Sequence, residues 1–202
     1  MFIAIEGLDG VGKTTQVQRV AEALRSKGKQ VLSVPALGGT PFGEKLREAL
    51  KAPGYALGAW AGVMTVVASQ MQLCEEVITP WLEEYPEGWV IADRWSASTY
   101  AYRYWMLLED VKKIVDIIPL APHLYIWLKA PPSFQWPRQE KPDRWDSNGI
   151  GFRASVWKSF HAQQQQHKAG WQEVLADQPP TIITKQILER VLKATHKAGH
   201  ST

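Results

Sequence analysis

Gly7, Gly12, Lys13 and Thr14 stand in the stretch "IEGLDGVGKTT" with the spacing G-x-x-x-x-G-K-[ST], directly behind the apolar run "FIAIE". Glycines at these positions let the backbone turn so that several N–H groups point into one concavity. The start of the helix that must follow adds partial positive charge, and Lys13 adds a full one. Such a cradle suits a polyphosphate, so Gly7, Leu8, Asp9, Gly10, Val11, Gly12, Lys13, Thr14 and Thr15 are the expected contacts of a nucleoside triphosphate, with the Thr14 hydroxyl placed for Mg²⁺. The plainer alternative is a glycine turn that merely caps a helix.

A second chemical signal lies in "ADRWSASTYAYR", where Asp93 and Arg94 end an apolar run of strand length. Ligands of open α/β sheets bind outside the carboxyl ends of the strands, which puts this pair beside the glycine loop. The planar fork of Arg94 suits a second phosphate, and Asp93 suits Mg²⁺ or its bound water. A salt bridge at a strand end is the structural alternative.

The elements that must carry these residues follow from periodicity. Apolar runs at Phe2–Glu6, Gln30–Leu37, Gly88–Asp93, His123–Ala130 and Pro180–Lys185 are expected strands. Between them, Val17, Val20, Ala21 and Leu24 have helical spacing. Further helices are expected over Pro41–Lys51, a largely buried Tyr55–Glu84 kinked or ended by Pro80, Ser98–Ile118, Phe152–Ala176 and Gln186–Lys197. This alternation predicts a three-layer α/β fold with a five-stranded, mainly parallel sheet, forming one domain over residues 1–202. From Pro131 to Gly151, "PPSFQWPRQEKPDRWDSNGIG" reads as a mobile surface segment, and residues 133–151 are the expected lid.

Composition narrows the partners. The net charge is +3 and the basic residues are scattered, which argues against a nucleic-acid binder. The single cysteine, Cys74, permits neither an internal disulfide nor a cysteine metal cage, and the five histidines have no metal-binding spacing. There is no basic leader with a cleavage site and no apolar run of membrane-spanning length, so a soluble cytoplasmic protein is expected.

The residues that now stand together resemble the thymidylate (dTMP) kinase family: "FIAIEGLDGVGKTTQ", "GGTPFGEKLREAL", "QLCEEVITPWL", "VIADRWSASTYAY", "PHLYIWLKAPP" and "DRWDSNGIGFRASVWKSF", in one order from Phe2 to about Phe160. The resemblance implies a P-loop kinase fold and transfer of the ATP γ-phosphoryl to the 5′-phosphate of a deoxynucleoside monophosphate, with Mg²⁺ as cofactor and a homodimer as the working form. It places Asp9 near the acceptor's sugar and phosphate, Arg47 and Arg94 on its phosphate, and Ser98, Thr99 and Tyr102 around its sugar and base. Arg144 matches a lid arginine, and Arg138 and Arg153 are further helpers. The candidate catalytic set is thus Lys13, Asp93, Arg94, Arg138, Arg144 and Arg153, with Thr14 and Asp93 as metal ligands. For the three lid-region arginines, a solvated surface is the alternative.

The chain departs from the family where the acceptor base is read. An aromatic residue, an arginine four positions later and a glutamine after "AY" are usual; here they are Val66, Gln70 and Arg103. The arginine and glutamine have exchanged hosts, and Trp60 or Trp105 is left to supply the stacking. "PALGG" (Pro35–Gly39) also lacks a usual charged residue. The expected acceptor is dTMP; dUMP, dGMP, a modified pyrimidine nucleotide, a P-loop ATPase switch and a non-catalytic binding module are the rivals.

Overall fold

A computed structural model describes residues 1–52, 57–136 and 149–198. Five strands, β1 (Phe2–Gly7), β2 (Val31–Pro35), β3 (Trp89–Asp93), β4 (Leu124–Lys129) and β5 (Trp171–Leu175), form a parallel sheet in the order β2-β3-β1-β4-β5. Every residue of β1 is buried, as a central strand covered on both faces must be. Ile3 and Ile5 point into one apolar layer with Leu24, Ile126, Phe160 and Ile187, whereas Phe2 and Ala4 point into the other with Leu73, Ile78 and Trp95.

The helices are α1 (Lys13–Arg25), α2 (Pro41–Lys51), α3 (Ala59–Leu73), α4 (Thr79–Glu84), α5 (Ser96–Ala101), α6 (Leu108–Val115), α7 (Gly149–Gln166) and α8 (Pro180–Ala198). The long helix expected over Tyr55–Glu84 is divided by a π turn at Cys74–Ile78, directly before Pro80. A proline lacks the N–H that an ordinary turn would use, and the wider turn accommodates the interruption. The helical reading of Ser98–Ile118 also divides, because residues 102–107 form a turn between α5 and α6.

Two expectations near the C-terminus are corrected. Pro180–Lys185 is the start of α8, not a strand, and the fifth strand is Trp171–Leu175, within the stretch expected to be helical. Pro180 sits where a helix tolerates proline, and Ile183, Ile187 and Val191 recur at i, i+4 and i+8, all buried. Burying each contributes about 2 kcal/mol. Their β-branching costs a helix only about 0.5 kcal/mol per residue, so packing decides the outcome.

Glu6 is the one acidic residue of β1, and it is fully buried. Its carboxylate accepts hydrogen bonds from Ser98 Oγ (2.6 Å), Trp95 N (2.8 Å) and Ser98 N (3.3 Å), fastening β1 to the start of α5. Burial raises its pKa to about 7, against the lowering effects of Arg94 and these donors. Glu6→Ala strands three buried donors, and unfolding free energy is expected to fall by about 2–4 kcal/mol. Denaturant titration checks this; a loss below about 1 kcal/mol would show that the clamp is dispensable.

Candidate active site

β1 ends at Gly7, whose φ is +146°; a Cβ there would lie 2.7 Å from the Leu128 carbonyl of neighbouring β4, so only glycine fits. The loop then reaches Gly12, left-handed at φ +91°, and α1 begins at Lys13. Lys13 is buried under the loop and donates from Nζ to the Leu8 carbonyl at 2.6 Å. Burial lowers its pKa to about 8, with the charge of Arg94 acting the same way and those of Asp9, Asp93 and Glu6 opposing.

That value sets a pH dependence. A polyphosphate binds the protonated lysine, so above pH 8 the empty loop must take up a proton to bind it. Glu6, at about 7, is already about nine-tenths ionised at pH 8 and changes little above it. The expected result is that kcat/KM for ATP falls as pH rises beyond about 8, approaching tenfold per pH unit. A flat profile from about pH 7.5 to 9.5 would contradict it.

Parallel pairing of β1 with β3 brings Ile5 opposite Asp93, so the end of β3 lies beside the loop. The Thr14 hydroxyl donates to Asp93 Oδ2 at 2.5 Å. The two metal-ligand candidates are therefore neighbours. Among the described residues no group of three or more His, Cys, Asp or Glu could hold a metal alone. One hydroxyl and one carboxylate nonetheless suit Mg²⁺, which usually takes few protein ligands and completes its shell with phosphate oxygens and water.

Arg94 has φ +71°, the one described non-glycine residue in the left-handed region. From that backbone its Nη1 donates to the Gly7 carbonyl (2.8 Å) and Ser98 Oγ (2.9 Å), and its Nη2 to Asp9 Oδ1 (2.5 Å) and Tyr102 Oη (3.1 Å). Tyr102 in turn donates to Asp9 Oδ2 at 2.5 Å. Burial by itself would raise the pKa of Asp9, but the charges of Arg94 and Lys13 and these hydrogen bonds hold it well below the carboxylate range. Arg94 stays charged: burial works against the cation, and the surrounding Tyr102, Asp9, Glu6 and Asp93 more than offset it.

The sequence candidates distribute unevenly around this cluster. Ser98 and Thr99 are buried on α5, and the Thr99 hydroxyl has no hydrogen-bond partner among the described residues. Arg47, on α2, lies 3.5 Å from the Leu37 carbonyl. Gly62, Val66 and Gln70 recur every fourth residue of α3. Arg103 packs over the first of them, where a Cβ on Gly62 would come within 2.5 Å of its Nη2. Gln70 is 0% exposed, and neither atom of its amide has a partner among the described residues. Trp60 and Trp105 are both exposed, and Trp105 lies beside Arg103, its ring centroid 5.9 Å from the guanidinium carbon. Arg138 and Arg144, with most of the expected lid, fall outside the described residues.

The first residues of the segment after β4 make contacts that the sequence did not reveal. Trp136 N donates to the Gly10 carbonyl (2.8 Å) and its indole to the Ala176 carbonyl (3.1 Å), so Trp136 is tied both to the glycine loop and to the residue after β5. Arg153, on α7, donates to the carbonyls of Pro132, Asp9 and Phe134. Sequence reasoning missed Glu6 and Trp136. A lone carboxylate in an otherwise apolar central strand was the available signal for Glu6; Trp136 was hidden by the prolines around it.

A glycine loop opening α1, a carboxylate at the end of the adjacent parallel strand and an arginine-centred hydrogen-bond cluster at the same carboxyl end of the sheet define a P-loop phosphotransferase of the nucleoside monophosphate kinase class. Residues 5–187 match the family model described as thymidylate kinase. The chain belongs to the thymidylate kinase family. It is similar to the thymidylate kinase of Synechococcus sp. (strain CC9605), 35% identical over an alignment of 207 positions that covers 95% of this chain and 96% of that one. It is likewise similar to the thymidylate kinase of Thermosynechococcus vestitus, 31% identical over 98% of this chain and 89% of that one. The crystal structure of a thymidylate kinase from Ehrlichia chaffeensis shares the fold with a TM-score of 0.76 at 21% identity, covering 95% of this chain and 98% of that one.

Proposed function

We propose that the protein transfers the γ-phosphoryl group of ATP to the 5′-phosphate of dTMP, forming dTDP and ADP. The observation that carries this reading is that Arg94 bonds both to Gly7 and Asp9 of the donor loop and to Ser98 and Tyr102 of the acceptor side, so the two sites share one wall. Phosphoryl transfer needs alignment and charge stabilisation and no nucleophilic side chain. In this reading Lys13 and the loop N–H groups grip the triphosphate, while Arg94 and Arg47 hold the acceptor phosphate. Thr14 and Asp93 would hold Mg²⁺, which when bound neutralises charge on the phosphates. Arg138 and Arg144 are assigned to the lid by family resemblance.

Gln70 is assigned to the acceptor's base edge, and the choice of thymine rests on the family to which the chain belongs. An unpartnered buried amide costs about 1–3 kcal/mol, a cost removed by a ligand that offers one donor and one acceptor side by side. The thymine imide edge, N3–H next to O4, does so. Arg103 completes the edge reading and Trp105 the stacking, with Tyr102, Ser98, Thr99 and Val66 around the sugar and base.

A coupled ADP-release assay over a panel of nucleoside monophosphates tests the function, with dTMP expected to give the highest kcat/KM; ADP production that needs no acceptor, or a better acceptor than dTMP, overturns it. Gln70→Ala and Arg103→Ala are each expected to lower kcat/KM for dTMP by about 10–10²-fold and to narrow its lead over dCMP. Unchanged preference in both would remove the base-reading assignment.

The assembly is read as a homodimer formed through α3, where Trp60 and Met64, one turn apart, are 44% and 53% exposed. Sedimentation of the wild type decides between monomer and dimer. No helix of the described residues is long and apolar enough to cross a membrane. A single cytoplasmic domain with both ligand loops on one sheet is the arrangement that suits this chemistry.

A further inference from the structure

Arg153 sits on the first turns of α7, yet its guanidinium reaches the glycine loop. Nε donates to the Pro132 carbonyl at 2.6 Å, Nη2 to the Phe134 carbonyl at 2.8 Å and Nη1 to the Asp9 carbonyl at 3.0 Å. Three carbonyls from two separate stretches of chain thus converge on one planar cation. Only arginine supplies donors in that fork; a lysine has no donor on its stem and cannot replace the Nε bond.

What the third bond does follows from peptide geometry. In a trans peptide the C=O and the N–H point to opposite sides, so holding the Asp9 carbonyl also fixes the direction of the Gly10 N–H. The next peptide is held in the same manner, because Trp136 N donates to the Gly10 carbonyl and so fixes the Val11 N–H. The Trp136 ring lies over Gly12, where a Cβ would be 3.6 Å from its Cδ1, and Phe134 packs edge-on against it with centroids 5.4 Å apart. Asp9 is meanwhile gripped from its other end, its carboxylate bonded by Arg94 and Tyr102.

We propose that Arg153 is a positioning residue that fastens the crest of the glycine loop to the segment following β4, pre-aiming the Gly10 and Val11 N–H groups at the donor phosphates. This rests on the kinase reading above, and it assigns Arg153 a role distinct from direct contact with the migrating phosphoryl group. Nε, Nη1 and Nη2 are each engaged by a peptide carbonyl of the loop or of the segment after β4.

Arg153→Lys and Arg153→Met separate the two roles. A cation acting on the phosphoryl group by its charge would be served in part by lysine, whereas a three-way strut would not. Both variants are therefore expected to lose about 10²-fold in kcat/KM for ATP and to agree within about threefold of each other. In the unliganded variants, amide hydrogen exchange at Trp136 is expected to quicken by at least about tenfold. Retention of most of the activity by the lysine variant alone, or wild-type exchange at Trp136 in both variants, would overturn the proposal. Should the variants fail to fold, the wild type still decides: its Arg153 Nε–H resonance must be protected from exchange without ligand, and rapid exchange there would overturn the strut. The exchange arms need no substrate, so a wild-type protein inactive on dTMP sinks the functional reading separately.

Discussion

Arg94→Ala is expected to lower kcat/KM for dTMP by about 10³-fold or more, beyond the loss of any other acceptor-side residue. The reason is the number of partners it holds together. One guanidinium bonds a donor-loop carbonyl, the Asp9 carboxylate, the Ser98 hydroxyl and the Tyr102 phenol, and it is 19% exposed beside an Asp9 side chain that is 32% exposed. Removing it takes from Asp9 its ion-pair partner and from the Gly7 carbonyl its donor, and removes the charge that would meet the acceptor phosphate. Lysine at this position keeps a charge but not the four-way fork, so Arg94→Lys is expected to recover little. The backbone adds a second, opposite signature. At φ +71° an alanine is strained where a glycine is not, so Arg94→Gly should be more stable than Arg94→Ala by about 1 kcal/mol while equally inactive. Steady-state kinetics and thermal unfolding of the three variants check both halves; an active alanine variant, or an alanine variant as stable as the glycine one, would contradict them.

Lys13→Met is the other large effect. The lysine lies under the loop with its Nζ on the Leu8 carbonyl, and its lowered pKa records that burial is working against its charge before any phosphate arrives. Donor phosphates reverse that balance by bringing negative charge into a site that is already desolvated. The methionine variant is therefore expected to lose about 10³-fold in kcat, with the acceptor KM changed much less. It should also unfold at the same temperature as the wild type or a higher one when both are free of nucleotide, because a buried cation has been replaced by an apolar chain of similar length. Added ATP should raise the melting temperature of the wild type and not that of the variant. A variant that is inactive because it is unfolded would fail this comparison at once.

Much of this site was legible in the sequence because its residues are close together in the chain and chemically unambiguous. The glycine loop needs Gly7 and Gly12 for reasons of backbone shape, and Lys13 and Thr14 follow immediately. Asp93 and Arg94 could be placed because a short apolar run ending in charged residues reads as a buried parallel strand opening onto ligand. What was misplaced depends on distant packing. Ile182, Ile183 and Thr184 look like strand residues until Ile187 and Val191 are seen to share the buried face of α8. Trp171–Leu175 is a five-residue strand whose central Gln172 and Glu173 are only partly buried, too short for alternation to stand out against the helix before it. The prolines around Trp136 suggested mobility, although the carbonyls of Gly10 and Ala176, far away in the chain, hold that residue in place. The roles of Glu6 and Arg153 are equally non-local, since the partners of Glu6 lie more than eighty positions away and the Asp9 partner of Arg153 more than a hundred.

The central position of β1, with Asp93 opposite Ile5, has a consequence for how such a molecule withstands heat. The ends of β1 and β3, which carry the glycine loop and Asp93, are held at the separation of two adjoining ribbons in the sheet, about 4.8 Å, a spacing set by the backbone hydrogen bonds between them. Outer helices can loosen considerably before that spacing changes. Warming should thus disturb the surrounding helices well before it shifts Asp93 relative to the glycine loop.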